Sequence, residues 1–498
     1  MSTLGLHFSA VFGGFWAVCE TLGDVEGALA PVVLAGSLCW LSAGILYGKK
    51  AVDERQPKRE PGVRIGCRRT RMMTRWAPAV VAVSLLQLLA PATSLDNGQG
   101  LTPPMGFNPW TAFRSNFNQS VLLEIAQAMV DKGLRDAGFV YINLDCGWTT
   151  GKREPGPSGR LQIDTAKFPN MTDYSSQLHK LGLKFGMYAG GYKAQCCHGS
   201  RNDHHGSGDT SFGHWDTDAA HFAELEIDYL KSDPCVGNSN KQNMSKITPA
   251  TAPYSPAEIF NRYNVAWGAA FRKINYLNKV FLQGSGPTRA VNESGCATCG
   301  DASWPKLLNS WRSTADVRPT FESVMSNIQH NNQYAIRAGP GHWNDADMLQ
   351  CGQPGIKLSE CRLALSLWSL AKSAMLIGAD VRHFSTATLD LLKNPEVIAV
   401  NQDSLGEQGT WVAGTTRQVW AGRLSKDRFA VVLVNMDNAT SAEVELDWGM
   451  LPGTVAPGTK FSVRDVWARK EIGERSSSVS LLVDPQDSRM VVLVPAAN

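Results

Sequence analysis

The chain has 498 residues, 43% hydrophobic and 19% charged, an ordinary balance for a folded protein with room for two or three domains. Its formal net charge is only +3, and the basic excess sits in the Lys- and Arg-rich stretch from Lys49 to Arg75. That distribution excludes an electrostatic footprint for nucleic acid, and no internal repeat or long low-complexity segment is present.

Residues 1–94 carry two apolar runs. Ala28 to Tyr47 holds no charge and is followed by Lys49 and Lys50, so a membrane span over 28–48 with a cytoplasmic basic flank is expected. Ala77 to Ala90 is shorter. Arg68, Arg69, Arg71 and Arg75 precede it and Ala92-Thr93-Ser94 follows, the pattern of a signal peptide over about 72–94 with cleavage after Ser94. Met72 and Met73 offer alternative starts that would leave residues 1–71 untranslated. Either way the remainder is expected outside the cytosol. It would be secreted or lumenal (a lysosome- or vacuole-like compartment included), or anchored with the catalytic part outside, the membrane touching only the N-terminal segment.

The cysteines and sequons agree. Eight cysteines lie after the N-terminal segment (Cys146, Cys196, Cys197, Cys235, Cys296, Cys299, Cys351 and Cys361), an even number suited to disulfides in an oxidising compartment. N-x-S/T sequons occur at Asn118, Asn170, Asn243, Asn292 and Asn438.

From Leu101 to about Val400, short apolar runs alternate with helical patterns. Strands are expected at Val140–Asp145, Leu183–Tyr188, Ile227–Asp233 and Lys279–Gln283. A helix is expected over Val121–Gly133, where Leu122, Ile125, Ala126, Met129 and Val130 recur at helical spacing and Ser120 could cap the start. Phe222, Ala223 and Glu224 fit another helix before the third strand. Repeated strand–helix units over about 300 residues point to a (β/α)₈ TIM barrel across 95–400, with a doubly wound open sheet as the alternative. After Asn401 the runs Gln418–Gly422, Phe429–Val434, Phe461–Trp467 and Met490–Val494 are β-rich, and 401–498 reads as a C-terminal antiparallel β-sandwich domain.

Polar residues gather where barrel strands would end: Asp145, Tyr188, Asp233 and Arg312, on the rim where barrel active sites lie. Asp233 closes the apolar strand YLKSDPC, where a carboxylate is unfavourable unless paired or used. Lys231, two residues earlier, leaves the same face. A cation there favours the ionised carboxylate that a nucleophile requires, although a purely structural Lys–Asp pair would read the same. Asp316 follows Trp311 and Arg312 in NSWRSTAD. Arg312 offers a planar fork for a hydroxyl or carboxylate, while Asp316 could equally cap a helix. A Gly-rich cluster, GPGHWNDADM, supplies Asp345, Asp347 and Met348.

In order along the chain, PPMGFNPW, YINLDCGW, DYLKSDPC, NSWRSTAD, AGPGHWNDADML, ECRLALSLWSL, LIGAD and NQDSLG resemble the motifs of glycoside hydrolase family 27, the α-galactosidase and α-N-acetylgalactosaminidase family. The resemblance covers about 101–498. It implies retaining hydrolysis of terminal α-linked galactose from oligosaccharides or glycoconjugates, with Asp233 as nucleophile and Asp316 as acid/base, their carboxyl groups about 5–5.5 Å apart. It also implies Phe107, Asp145, Cys146, Tyr188, Lys231, Arg312, Asp347 and Met348 around a sugar. No metal or cofactor is implied, the partner is a carbohydrate, and a homodimer is compatible. By the same resemblance Cys235 pairs with Cys196 or Cys197, and the other of those two could pair with Cys146; Cys351–Cys361 and Cys296–Cys299 are candidate local bridges.

The chain also departs from the family. Where two adjacent aspartates are usual it reads Asp145-Cys146, Phe107 replaces a common Trp, and the fifth-strand segment reads Gln283-Gly284-Ser285-Gly286-Pro287. Losing a hydroxyl-binding acid bears strongly on sugar choice. A different glycone (a β-L-arabinopyranoside or an α-glucan) and a catalytically silent carbohydrate-binding relative are the competing readings. His198, His204, His205 and His214 crowd one Gly-rich loop, read as a solvated insertion rather than a metal site, and Cys296-x-x-Cys299 as a bridge rather than a redox or zinc half-site.

Overall fold

The computed structural model describes residues 95–190, 209–233, 256–284 and 304–496. The expectations placed on residues 1–94, on Cys196, Cys197, His198, His204 and His205, on Cys235, on Asn243 and Asn292, on 285–287 and on Cys296 and Cys299 lie outside the described residues. Among the described residues no helix is long and apolar enough to cross a membrane.

Eight strand–helix units follow one another. The first runs β1 (Met105–Phe107), α1 (Trp110–Phe113) and α2 (Gln119–Asp131), and the second β2 (Tyr141–Asn143), a hairpin of β3 (Thr149–Arg153) and β4 (Leu161–Ile163), then α3 (Met171–Lys180). Next come β5 (Lys184–Gly190) with α4 (Trp215–Glu224), β6 (Tyr229–Asp233) with α5 (Pro256–Lys273), and β7 (Phe281–Gly284) with α6 (Trp304–Leu307). The last three are β8 (Ser310–Arg312) with α7 (Phe321–Asn331), β9 (Trp343–Asp345) with α8 (Leu358–Leu370), and β10 (Met375–Ile377) with α9 (Thr386–Leu392) and α10 (Pro395–Asn401).

The parallel strands pair in the order β10-β1-β2-β5-β6-β7-β8-β9. Just beyond β9, Leu349 bridges Ile377 of β10: the Leu349 N–H donates to the Leu376 carbonyl (2.8 Å) and the Gly378 N–H to that of Leu349 (2.9 Å). The two edges thus meet, and the sheet curls into the expected (β/α)₈ barrel. Of the four strands anticipated from apolar runs, three are shorter than those runs, while β5 starts at Lys184 and runs on to Gly190. In the fourth, Lys279 belongs to a 3₁₀ turn (Leu277–Lys279), and the strand begins at Phe281. Helix α2 buries Leu122, Ile125, Ala126 and Met129, as the spacing required, but its cap is Asn118, not Ser120: the Asn118 side-chain oxygen accepts from the Val121 N–H at 2.9 Å.

The barrel interior is layered by the two-residue period of its strands. Tyr141, Tyr229, Phe281 and Trp343 pack together at the beginnings of β2, β6, β7 and β9, with Tyr229 stacked on Phe281 at 4.8 Å. Two residues further along the same strands stand Asn143, Lys231, Gln283 and Asp345, all buried. Another two residues along β2, β6 and β9 stand Asp145, Asp233 and Asp347. An aromatic plug therefore floors a polar layer, and the polar layer supports the carboxylates of the rim. Making room for it has a backbone consequence: a Cβ on Gly186, the register partner of Asn143, would lie 1.9 Å from the Asn143 amide oxygen.

Beyond α10 the chain is all β. The antiparallel sheet has the order β11 (Thr410–Ala413), β12 (Arg417–Leu424), β13 (Arg428–Asn435), β18 (Asp487–Pro495), β15 (Phe461–Asp465), β16 (Lys470–Arg475), and β14 (Ala442–Asp447) pairs with β17 (Ser478–Val483). Alternate residues face opposite ways. Val419, Ala421, Val431 and Leu433 join Val444, Leu446 and Val479 in the core between the sheets. Trp420, Ala430, Val432 and Val434 pack into the barrel's own core. Both faces of β13 are buried, so Phe429–Val434 reads as an unbroken apolar run rather than an alternating one. Arg362 of α8 clasps Asp487, and Trp467 donates to Ser366 at 2.9 Å. Cys351 and Cys361 form the expected local disulfide.

Gly186→Ala should displace Asn143 and lower the unfolding free energy by about 1–3 kcal/mol, the usual consequence of overpacking. Chemical denaturation checks it, and an unchanged midpoint would show that the Asn143 layer yields freely.

Candidate active site

The polar layer holds a cation that water cannot reach. Lys231 on β6 is 8% exposed, and its ammonium donates to Asp145 Oδ2 at 2.5 Å. Asp145 is fixed from its other sides by the Asn108 amide (2.9 Å to Oδ2) and the Cys146 N–H (2.8 Å to Oδ1). Burial acts to depress the Lys231 pKa, but Asp145 and then Asp233 outweigh it, and the net shift is upward. The lysine is therefore charged throughout the physiological range. Its ammonium also lies 5.8 Å from the Tyr188 ring centroid, and the Tyr188 hydroxyl donates to Asp233 Oδ2 at 3.3 Å. Asp145, Tyr188, Lys231 and Asp233 form one assembly at the ends of β2, β5 and β6.

A second assembly stands at the ends of β8 and β9. Arg312 directs one nitrogen, Nη2, at Asp347 Oδ2 (2.6 Å), Asp316 Oδ1 (2.9 Å) and the Ala315 carbonyl (3.2 Å). Asp347 takes three further bonds: its Oδ2 accepts from the Val317 N–H (2.8 Å), its Oδ1 from the Met348 N–H (2.8 Å), and its carbonyl from the Trp368 indole (2.8 Å). Its backbone lies in the left-handed region, φ +80°. For a non-glycine residue such a conformation survives only where surrounding bonds enforce it. Burial, reinforced by Asp316 and Asp345 and opposed by Arg312, pushes its carboxyl up to about 6. Arg312 is also shifted upward: burial opposes its charge, but Asp347, Asp316 and Asp345 prevail. The Asp316 side chain is 74% exposed against 5% for Arg312, so the loop presents a carboxylate to the open side while a buried cation holds it from below.

The two assemblies share one level of the barrel. Lys231, Gln283 and Ser310 are register partners across β6, β7 and β8. Two residues on, Asp233 and Arg312 stand at matching positions two strands apart, about 10 Å between strand axes. Arg312 is near enough to oppose the charge of Lys231. Gln283, between them, donates its amide to Asp345 Oδ2 at 2.5 Å. Five carboxylates (Asp145, Asp233, Asp316, Asp345 and Asp347) thus surround two buried cations, and such a site favours a transition state that develops positive charge.

The sequence matches known proteins over most of its length. A family profile described as alpha galactosidase A matches residues 102–276 and 296–403, and one described as the alpha galactosidase C-terminal beta sandwich domain matches 414–493. An alpha-galactosidase of Oryza sativa is 34% identical over 412 residues, covering 81% of this chain and 87% of that one.

The chain belongs to glycoside hydrolase family 27.

Other family 27 relatives include an alpha-N-acetylgalactosaminidase of Rattus norvegicus, 31% identical over 436 residues (83% of this chain, 96% of that one). The crystal structure of alpha-galactosidase I from Mortierella vinacea superposes with TM-score 0.68 at 27% identity, covering 81% of this chain and 99% of that one.

Of the residues expected around the sugar, Phe107 is enclosed in the core and Cys146, beside Asp145, is in a disulfide. Phe107 is wholly enclosed in the barrel's apolar core, between Ile142 and Ile377 of the flanking strands, and has no surface to offer a ligand. Cys146 occupies a usual acid position of family 27, but its sulfur is consumed by a disulfide whose partner lies outside the described residues. Met348 is 5% exposed and contributes a backbone N–H to Asp347. Asp316 caps no helix, since α7 begins five residues later and is capped by Thr320. Two residues went unrecognised as parts of the site, Asn108, which holds Asp145, and Gln283 of the layer beneath, where it meets Asp345 of the Gly-rich cluster. Their signal was the strand period itself, which places Gln283 and Asp345 level with Lys231.

Lys231→Met should lower unfolding stability by about 3–5 kcal/mol, because it strands Asp145 as a buried unpaired carboxylate. Adding Asp145→Leu should recover part of that loss, and a double-mutant cycle by chemical denaturation measures the coupling. Strict additivity of the two substitutions would show that the ion pair is not what holds this layer.

Proposed function

We propose that this protein is a retaining exo-acting α-galactosidase, with Asp233 as nucleophile and Asp316 as acid/base. One observation carries the reading. Asp233, beside the buried Lys231, ends its strand level with Arg312, whose buried guanidinium holds Asp316, in a chain of this family. In the first step Asp233 attacks the anomeric carbon and the bond to the leaving oxygen breaks as Asp316 protonates it. In the second, Asp316 takes a proton from water, which attacks the anomeric carbon and displaces Asp233, so the α configuration is regenerated. Lys231 and Asp145, with Tyr188, would bind sugar hydroxyls on one side, and Arg312 with Asp347 on the other. The oxocarbenium-like transition state is positive, and the surplus of carboxylates suits it.

Galactose is favoured as glycone by relatives named alpha-galactosidase at 34% and 37% identity. A second glycone class, β-L-arabinopyranoside or α-glucan, draws support from Cys146: with its sulfur bonded, one acceptor for a sugar hydroxyl is lost. The compartment is proposed to be lumenal or extracellular. The Cys351–Cys361 bridge and the bonded Cys146 suit an oxidising environment, and the sequon asparagines Asn118, Asn170 and Asn438 are exposed, as glycosylation requires. Residues 72–94 would act as the signal peptide, with the catalytic barrel at 95–400 and the β-sandwich at 401–498.

A panel of nitrophenyl glycosides tests the reading. The α-galactoside should be the best substrate, α-galactose should be the first product seen by ¹H NMR, and Asp233→Asn should abolish turnover. Asp316→Asn should slow it about 10²–10⁴-fold, the range of a lost acid/base. Preference for an arabinoside or glucoside would reassign the glycone. Sugar binding without turnover of any substrate would make the protein a silent carbohydrate-binding relative.

A further inference from the structure

We infer that Gln283 is a positioning residue for the acid/base, acting on Asp316 through Asp345 and Asp347. The inference rests on the role proposed for Asp316.

Gln283 is 3% exposed and lies on β7 in the polar layer. Its amide nitrogen donates to Asp345 Oδ2 (2.5 Å), while its amide oxygen has no protein partner. A buried amide that satisfies only its donor is unfavourable, so the side chain is retained for what that donor does. Asp345 divides its atoms among neighbours of the site. Its Oδ1 accepts the Asp347 N–H (2.9 Å), and its carbonyl accepts the Ser313 N–H (3.0 Å) and hydroxyl (3.1 Å). The first bond braces Asp347 in its left-handed conformation, in which Oδ2 reaches both Arg312 and the Val317 N–H. Val317 directly follows Asp316, and Arg312 holds the Asp316 carboxylate itself. An uninterrupted run of bonds thus leads from the centre of the polar layer to both ends of the loop that presents Asp316. Were the Gln283 donor lost, Asp345 Oδ2 would be a buried carboxylate oxygen without that bond, and its rotation would release the Asp347 N–H.

The isosteric substitution gives the decisive test, because a carboxyl can replace the amide donor only while it carries a proton. The charged or titratable groups facing this position are Asp345 at the end of β9 and Asp347 beyond it, Arg312 at the end of β8 and Asp316 beyond it, Lys231 and Asp233 on β6 with Asp145 after β2, and the Tyr229 hydroxyl below. Rates on nitrophenyl α-galactoside are measured across pH for the wild type, Gln283→Glu and Gln283→Leu, with melting temperatures to show that each is folded. Gln283→Leu should lower kcat at least tenfold at every pH, with KM changing less. Gln283→Glu should come within about threefold of the wild type at the acid end and fall away as the introduced carboxyl ionises, adding a descent absent from the wild-type profile. A merely structural glutamine would produce no such new ionisation. If both folded variants kept wild-type kcat and profile, the inference would be overturned while the proposed function stood. If the wild type turned over no glycoside, both would fall together.

Discussion

An ammonium group lies inside the barrel, two residues along its strand from an aromatic plug, and its need for a counter-charge organises what surrounds it. Lys231 is held by Asp145 and attracted by Asp233, and that attraction outweighs the burial that would otherwise strip its proton. Asp145 must then be oriented, which the Asn108 amide and a backbone N–H accomplish. Asp233 must stand on the same face two residues along the strand. Gly186 must lack a side chain so that Asn143 fits the same layer. Replacing the pair with apolar groups of similar volume would be tolerable for stability, so its retention is better explained by the site above it than by the fold.

The opposite wall solves a different problem. Arg312 is as deeply buried as Lys231, but of the two carboxylates its Nη2 meets, Asp347 is enclosed and Asp316 is open to solvent. Asp347 is strained in backbone and pushed upward in pKa by burial and then by neighbouring carboxylates, whereas Asp316 is tethered by the same guanidinium on a short loop. Two carboxylates in unlike surroundings are what a double displacement requires: one pressed against a fixed cation to attack carbon, the other at the open side to exchange protons with a leaving group and with water.

Much of this was legible in the sequence because strand period and strand end carry it. Asp145, Tyr188, Asp233 and Arg312 could be placed on one rim, and Lys231 beside Asp233, from alternation alone. Their roles could not, since a structural ion pair and a catalytic one look alike locally; the ordered motifs are what the proposed roles rest on. Phe107 misled because an aromatic residue in a site motif can face either way from its strand, and here it faces the core. Cys146 was expected both beside the sugar and as a candidate disulfide partner, and its sulfur is in a disulfide. Gln283 escaped notice because its significance is a bond to a strand two places away, which no local pattern reports. The unbroken apolar run in β13 was read correctly as β, but its cause, burial against the barrel on one face and the second sheet on the other, is visible only in three dimensions.

Asp233, proposed as the nucleophile that bonds to the anomeric carbon, is tested most directly by trapping the covalent intermediate. Incubation with 5-fluoro-α-galactosyl fluoride, which forms the glycosyl-enzyme faster than water releases it, should inactivate the protein with one label per chain. Peptide mass spectrometry should place that label on Asp233. A label on Asp316, Asp145 or any other side chain, or steady turnover of the reagent with inversion at the anomeric carbon, would contradict it.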